Sequence, residues 1–286
     1  MSEYQKGFVP EKGFTHGGKF HSDDVFATAF LRILNPKIQI TRGFEVPEEF
    51  GGIVYDIGRG EFDHHQKDKE YRENGCPYAA FGLIWRAYGA GFAGEEEAKR
   101  FDEQFVQPLD ESDNTGCDNI IAKIIEEFNP GWDSEDSYDD CFWQAVGMAE
   151  LILRNHFESV EGIQRGRELV QQAMRDSDGR ILVLPVYAPW KQEVIGSSYQ
   201  FVVYPSNRGG YSAQGVAVSS TDNTLVCDFP KEWWGMEADA LVKMSGIESL
   251  RFCHPGGFLA ATETLEDAVK AAECALQAKE QEGLDV

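Results

Sequence analysis

Thr15-His16-Gly17-Gly18-Lys19-Phe20-His21-Ser22-Asp23-Asp24 reads as the end of a strand, a loop and the start of a helix. The Gly17-Gly18 pair breaks regularity after a strand ending near Thr15, and Ser22 or Asp23 is placed to cap the amphipathic stretch from Val25 to Leu34. Phe26, Ala29, Phe30 and Ile33 share one face of that stretch at helical spacing. His16, His21 and Asp23 then sit at a strand end, a loop and a helix N-terminus, the crevice where open parallel α/β sheets bind ligands. A second apolar run, Ile53-Val54-Tyr55-Asp56-Ile57-Gly58, ends in a carboxylate and delivers Asp56 to a loop mouth. An α/β fold with a parallel sheet follows.

Ile38 to Thr41 supplies another strand. Helical patterns run from Tyr78 to Tyr88, Glu95 to Leu109, Asn119 to Phe128, Asp139 to Phe157 and Val160 to Arg175, a helical flank that closes the first domain. The turn Asp176-Ser177-Asp178-Gly179 marks a change in character and sets the expected domains at 1–178 and 179–286. Beyond it, β-type segments dominate at Ile181 to Leu184, Gln200 to Tyr204, Gly215 to Ser219 and Leu250 to Cys253, with one late helix from Leu265 to about Lys279. The second domain is therefore the smaller one, of α+β type.

With 42% hydrophobic and 26% charged residues, the composition is that of a soluble globular protein. The absence of a long apolar run excludes a membrane-spanning helix, and the opening Met1-Ser2-Glu3-Tyr4-Gln5-Lys6 lacks the apolar region of a secretory signal, so the expected compartment is the cytoplasm. The six cysteines form no Cys-x-x-Cys pair, and free thiols are expected, Cys253 beside His254 included. The formal charge of −23 opposes attraction to polyanions and argues against long duplex DNA. Bound divalent metals reverse the sign that a phosphate meets, so short phosphorylated substrates remain open.

Four of the six histidines lie in two aspartate-rich segments, the quoted stretch and Asp63-His64-His65. Neutral imidazole and carboxylate together are the ligand set for Mn²⁺, Fe²⁺ or Zn²⁺. A two-metal hydrolase needs a bridging carboxylate, terminal His and Asp ligands, and a group to protonate the leaving oxygen. Two cations about 4 Å apart stabilise attacking and departing oxygens together. His16, His21, Asp23, Asp56, His64 and an aspartate from Leu109-Asp110-Glu111-Ser112-Asp113-Asn114 suffice as ligands, with His65 left over for acid work. Taken singly, Asp23 or Asp24 would be a helix cap, His21 a surface or satisfied core residue and Asp113 a loop residue bonded to its own backbone. Three adjacent ligand-type residues at Asp63 to His65 offer little to a core.

These motifs resemble the Myg-type (melanocyte-proliferating-gene-like) family of metal-dependent hydrolases within the DHH phosphoesterase superfamily, some of whose members are 3′–5′ RNA exonucleases. Thr15-His16 through Asp24 is similar to the first motif, Val54 to Gly58 to the second, Phe62-Asp63-His64-His65-Gln66 to the third and Asp110 to Asn114 to the fourth. Gly82-Leu83-Ile84, Phe229-Pro230 with Trp233-Trp234-Gly235, Ser245-Gly246-Ile247 and Phe252-Cys253-His254 with Gly257-Phe258 extend the resemblance over nearly the whole chain. It implies a DHH-type N-terminal catalytic domain with flanking helices, a smaller substrate-binding domain and an active site in the cleft between them.

By this resemblance His16, His21 and Asp56 hold one metal while Asp23, Asp56, His64 and Asp113 hold the other, with Asp110 the alternative ligand from the fourth motif. Asp56 bridges, His65 faces the scissile phosphate as donor or general acid, and Asp63 orients a ligating histidine. A histidine at position 21 favours Mn²⁺ over Mg²⁺, with Co, Fe and Zn also in range. His254, Gly256, Gly257 and Arg42 are candidate substrate contacts, and Arg208 in Asn207-Arg208-Gly209-Gly210 is a further exposed arginine able to meet phosphate. Relatives carry a Gly-Gly pair where this chain has Leu259-Ala260-Ala261-Thr262, which alters backbone access for a substrate. The Trp233-Trp234 pair is a base-stacking platform or a core anchor. The expected reaction is cleavage of RNA or a short oligonucleotide from its 3′ end, and the resemblance leaves room for a homodimer. Two rivals stand beside it: hydrolysis of a small phosphorylated substrate such as a cyclic dinucleotide, pyrophosphate or nucleotide, and metal-dependent binding without turnover.

Overall fold

The computed structural model describes residues 9–236 and 238–284. The opening segment Met1 to Lys6, read above for a leader, lies outside the described residues. Two units, Met1–Glu158 and Ser159–Val286, are separated by their internal contacts.

In the first unit, β1 (Lys12–His16) lies between β2 (Gln39–Gly43) and β3 (Ile53–Val54) in a three-stranded sheet whose pairings are both parallel. Phe14 pairs with both Thr41 and Val54, and His16 pairs with Gly43 at the strand's C-terminal end. Helix α1 (Ser22–Leu34) crosses over from β1 to β2. The helix begins earlier than its apolar stripe: His21 is the cap, and its backbone N–H donates to Asp24 Oδ1 at 2.9 Å. Phe26, Ala29 and Phe30 are fully buried, as the spacing predicts, and Ile33 packs at the core's edge. The helical flank follows as α2 (Ala80–Ala93), α3 (Glu95–Phe101), a π-helical turn at Asp102–Val106, α4 (Gln107–Thr115), α5 (Ile120–Glu126) and α6 (Tyr138–Asp176). An aromatic cluster ties it together, with Phe30 4.8 Å from Trp85 and Phe101 5.1 Å from Phe157 between ring centroids.

The two helical patterns at 139–157 and 160–175 form the single helix α6. Phe142, Val146, Leu153 and Phe157 from its first part join the N-terminal core, whereas Leu169, Val170, Ala173 and Met174 pack with Leu182, Trp190 and Val202. The division between units therefore falls inside this helix and not at the turn after it.

The second unit contains β4 (Ile181–Val183), α7 (Lys191–Val194), β5 (Phe201–Pro205), β6 (Tyr211–Gly215), a 3₁₀ turn at Lys231–Trp233, α8 (Ala238–Ser245), β7 (Leu250–Cys253), β8 (Leu259–Thr262) and α9 (Leu265–Leu284). Its sheet is mixed, in the order β4-β5-β6-β8-β7, with β4 and β5 parallel and the remaining pairs antiparallel. The run Gly215 to Ser219 is not a strand beyond its first residue. The tight turn at 206–210 returns the chain as a hairpin, pairing Pro205 with Tyr211 and Val202 with Gln214, which moves the strand upstream. Ala268, Ala271, Ala272 and Ala275 lay α9 closely over Phe201, Val203, Ala213 and Ala260. The six cysteines are free, and burial pushes the Cys253 thiol up to about 12, which removes it as a nucleophile at neutral pH. Among the described residues, no helix is long and apolar enough to cross a membrane.

Candidate metal centre

His16 closes β1, and the Gly17 amide donates to Gly43 O at 2.8 Å, so the chain leaves the sheet at that point. Five residues after Gly17, at Ser22, α1 opens with Asp23 and Asp24 in its first turn, both fully buried, where the helix dipole favours negative charge. Asp56 follows β3 with a left-handed backbone, φ +56°, uncommon for a residue with a side chain. The strand accordingly ends at Val54, two residues before Asp56, and the Asp56 amide donates to Phe62 O at 3.0 Å. The loop then returns through Gly58 (φ +85°) to Asp63-His64-His65.

Asp56 stands at the centre of the group. Its Oδ2 lies 3.1 Å from His16 Nε2, and its Oδ1 lies 3.1 Å from His64 Nε2 and 3.4 Å from His65 Nδ1. His64 Nε2 is also 3.5 Å from Asp23 Oδ2 and 3.3 Å from Asp113 Oδ2. His16 Nε2 is 3.2 Å from Asp24 Oδ2, and His21 Nδ1 is 3.9 Å from Asp113 Oδ1. Three overlapping sets result: His16 with Asp24 and Asp56, His21 with Asp23 and Asp113, and Asp56 with His64 and His65, each presenting ligand atoms within 4.8 Å of one another.

The electrostatics of this group call for cations. Burial pushes the Asp23 carboxyl well above its ordinary range, and Asp56, Asp113, Asp24 and Asp110 push it further. Burial opposes a charge on His16, yet Asp24 and Asp56 hold its pKa up at about 10. Burial likewise opposes charge on His64 and is outweighed by Asp56 and Asp113. Asp23 Oδ1 is buried without a hydrogen bond, which costs about 1–3 kcal/mol in a closed protein interior, and Asp24 Oδ2 is buried with only the His16 ring beside it. Carboxylate oxygens left bare among imidazoles fit divalent cations of the Mn²⁺, Fe²⁺ or Zn²⁺ kind.

Asp24 is the residue sequence reasoning missed. It was hidden in the Asp23-Asp24 pair as a helix cap, and it does cap, but one oxygen receives the His21 amide while the other faces His16. His21, expected beside His16, turns toward Asp113, with 6.3 Å between the two imidazole centroids. Asp113 faces the histidines, whereas Asp110, one turn earlier on α4, is fully buried against Arg72 Nη2 at 2.8 Å and the Gly82 amide at 3.0 Å. Asp63, expected beside a ligating histidine, faces His65. Its Oδ1 receives the His65 backbone N–H at 3.0 Å and faces His65 Nδ1 at 2.9 Å, while the Arg59 amide donates to Oδ2 at 2.6 Å. Burial opposes ionisation of Asp63, but those hydrogen bonds outweigh it and bring its pKa down to about 2. Asn114 is the partner of His64, with Oδ1 3.4 Å from Nδ1, and Lys69 Nζ donates to the same oxygen at 2.9 Å. An open cavity of about 320 Å³ is lined by His21, His64, His65, Lys69, Asp113 and Asn114.

Gly82 shows how tightly α4 is seated. A methyl group there would lie 1.8 Å from Asp110 Oδ2 and 2.8 Å from Arg72 Nη2, whereas Gly91 in the same helix faces open space. Gly91→Ala is expected to stabilise the protein by up to about 1 kcal/mol through helix propensity. Gly82→Ala is expected to destabilise it by about 1–3 kcal/mol, as overpacking does. Urea unfolding of the two variants checks the contrast, and equal shifts would contradict this packing.

Arg42, expected on a phosphate, is committed elsewhere: its guanidinium sits 4.0 Å over the Phe142 ring, donates to Gly18 O at 2.9 Å and pairs with Asp139 at 2.5 Å. In the second unit, His254 Nδ1 accepts the exposed Gly256 N–H at 3.0 Å. Gly257 is buried, its N–H and C=O are bonded to His254 O and Phe229 N, and a Cβ there would meet Trp234 at 2.3 Å. No backbone group of Gly257 is left for a ligand. Trp233 is buried in the core beside Phe229, and the Trp234 indole N–H donates to Phe229 O at 2.7 Å, which makes the pair an anchor and not a base platform.

The chain is similar to "MYG1 protein YER156C" of Saccharomyces cerevisiae, 25% identical over 92% of this chain and 94% of the relative. It is also similar to "MYG1 exonuclease" of Rattus norvegicus, 26% identical over 94% of this chain and 85% of the relative, and to "MYG1 protein" of Chlamydia trachomatis, 26% identical over 94% and 98%. No solved structure matches. A family model, MYG1_exonuc, described as Uncharacterised protein family (UPF0160), matches residues 13–276, from β1 into α9 and across all four motifs: the chain belongs to that family.

Proposed function

We propose that this chain is a metal-dependent phosphodiester hydrolase of DHH type, acting on RNA or short single-stranded oligonucleotides from the 3′ end. The observation that carries this reading is the position of Asp56, whose two oxygens face His16 on one side and His64 on the other. The exonuclease name of the mammalian relatives agrees with it.

His16, Asp24 and Asp56 would hold one cation, and Asp23, Asp56, His64 and Asp113 the other, with His21 beside Asp113; Mn²⁺ suits this mixed donor set best. Two such ions supply Lewis-acid stabilisation of the charge that develops on a phosphoryl group. The protein's own residues do the rest. Ionised Asp63 can only accept, so His65 Nδ1 is the donor of that pair and Nε2 is left free on an exposed ring. A proton on Nε2 is then available to a departing alkoxide, and Asp63 stabilises the imidazolium before transfer. Lys69, held by Asn114 at the cavity rim, places a positive charge where a phosphate would approach. Exposed Gly256 and half-buried His254 are proposed to meet the substrate in the second unit.

A product screen with Mn²⁺ against labelled RNA, single-stranded DNA, cyclic dinucleotides and pyrophosphate tests the reading, with stepwise shortening of RNA from the 3′ end as the expected result. Cleavage of pyrophosphate alone would replace it by the small-substrate alternative. Because the net charge is −23, a short single strand is expected to bind more tightly than a long duplex, and gel-shift titration of both at one salt concentration checks the order.

A further inference from the structure

One row of side chains crosses the C-terminal sheet. Tyr204 on β5 pairs with Ser212 on β6, Ser212 with Ala261 on β8, and Ala261 with Phe252 on β7. The row next to it, Val203, Ala213, Ala260 and Cys253, points to the opposite face and is buried in the core with α9. Two small side chains between two aromatic ones leave a slot over three inter-strand steps, about 14 Å across at 4.8 Å per step. A cavity of about 660 Å³ opens there, a size typical of small-ligand sites. Tyr187 stands at its edge, 63% exposed, with its ring 5.2 Å from that of Tyr204.

The cavity also has a cation. Arg208 lines it from the tip of the β5–β6 turn, exposed, and its guanidinium makes no hydrogen bond or ion pair among the described residues. The turn beneath it is built to hold one shape: Ser206 N–H donates to Gly210 O at 2.9 Å, Gly209 N–H to Ser206 O at 3.1 Å, and Arg251 Nη2 to Gly209 O at 2.6 Å. Gly210 has φ +65°, and a Cβ there would lie 2.0 Å from Thr262 O. In a chain with 49 acidic and 26 basic residues, an unpaired arginine on a rigid turn near the exposed Tyr187 ring suits an anion attached to a flat ring. Aromatic faces stack on any base, and guanidinium pairs with phosphate.

We propose that this cavity on the sheet binds one nucleotide unit of a single strand, with the base against the exposed Tyr187, which buried Tyr204 backs, and the phosphate at Arg208. This deepens the hydrolase reading and rests on it only for the source of the strand. The test is fluorescence anisotropy of the full-length protein with a fluorescein-labelled single-stranded RNA hexamer in EDTA, so that no cleavage occurs, beside the same hexamer made abasic. Tyr187→Ala is expected to weaken binding of the normal hexamer about tenfold, within the range for one lost stacking partner, and to leave the abasic strand unaffected. Arg208→Ala is expected to lower the slope of log affinity against log salt by about 0.7, the share of one phosphate contact on a single strand.

Both side chains are exposed, so neither variant tests folding. Unchanged affinity in Tyr187→Ala, equal wild-type binding of normal and abasic strands, or no wild-type binding would overturn the proposal. Displacement of the strand by an equimolar mononucleotide would overturn its assignment to a strand. Wild-type binding without Mn²⁺-dependent cleavage of the hexamer would sink the hydrolase reading and leave this site standing. Cleavage with binding indifferent to both substitutions would sink this site alone.

Discussion

Asp56→Asn is expected to bring bound divalent metal below one ion per chain and turnover to background, while the protein stays folded. Asparagine has the shape of aspartate and tolerates the left-handed backbone that position 56 requires, so the substitution tests charge and donor count and not conformation. The side chain would keep one oxygen for either His16 or His64 and turn an amide nitrogen, which cannot ligate, toward the other. Because both ligand sets pass through Asp56, the lost oxygen removes a donor from one set while the lost charge weakens both. Metal analysis after dialysis against Mn²⁺, with circular dichroism as the fold control, measures the effect. Full metal content in Asp56→Asn would mean that this carboxylate does not bridge.

His65→Ala separates chemistry from ligation. The ring is 62% exposed and held by Asp63, so removing it leaves the buried carboxylates and His64 in place. The variant is expected to retain its metal and its stability while kcat falls by about 10²- to 10⁴-fold, the range for a lost general acid. Asp63→Asn should lower kcat in the same direction with little change in KM, because an amide no longer fixes Nδ1 as the donor. Loss of metal in His65→Ala would instead assign His65 to ligation beside His64 and Asp56, whose Oδ1 it approaches at 3.4 Å.

The α/β character, the parallel sheet and the strand–loop–helix placement of His16, His21 and Asp23 were legible because hydrophobic period and glycine position encode them locally. The missed features depend on what meets across space. Asp24 looked like a cap, since a cap and a ligand are written with the same residue. Arg42 looked free, and only the fold brings Phe142 under it and Asp139 beside it. The pairing of Asp63 with His65 in place of a ligating histidine is set by the backbone turn after Asp56, which no residue count reveals. The separate patterns at 139–157 and 160–175 looked like two helices because their apolar faces serve different cores. Strand β8 went unread because Leu259-Ala260-Ala261-Thr262 has little β-branching, yet Ala260 packs under α9 and Ala261 floors the open face.

A crystal structure with Mn²⁺, read by anomalous scattering at the manganese edge, tests the two-ion account most directly. The account predicts two anomalous peaks, one between His16 and Asp56 Oδ2 and the other between His64 and Asp56 Oδ1, with Asp24 and Asp113 drawn in on opposite sides. A single peak, or two peaks neither of which touches Asp56, would contradict it.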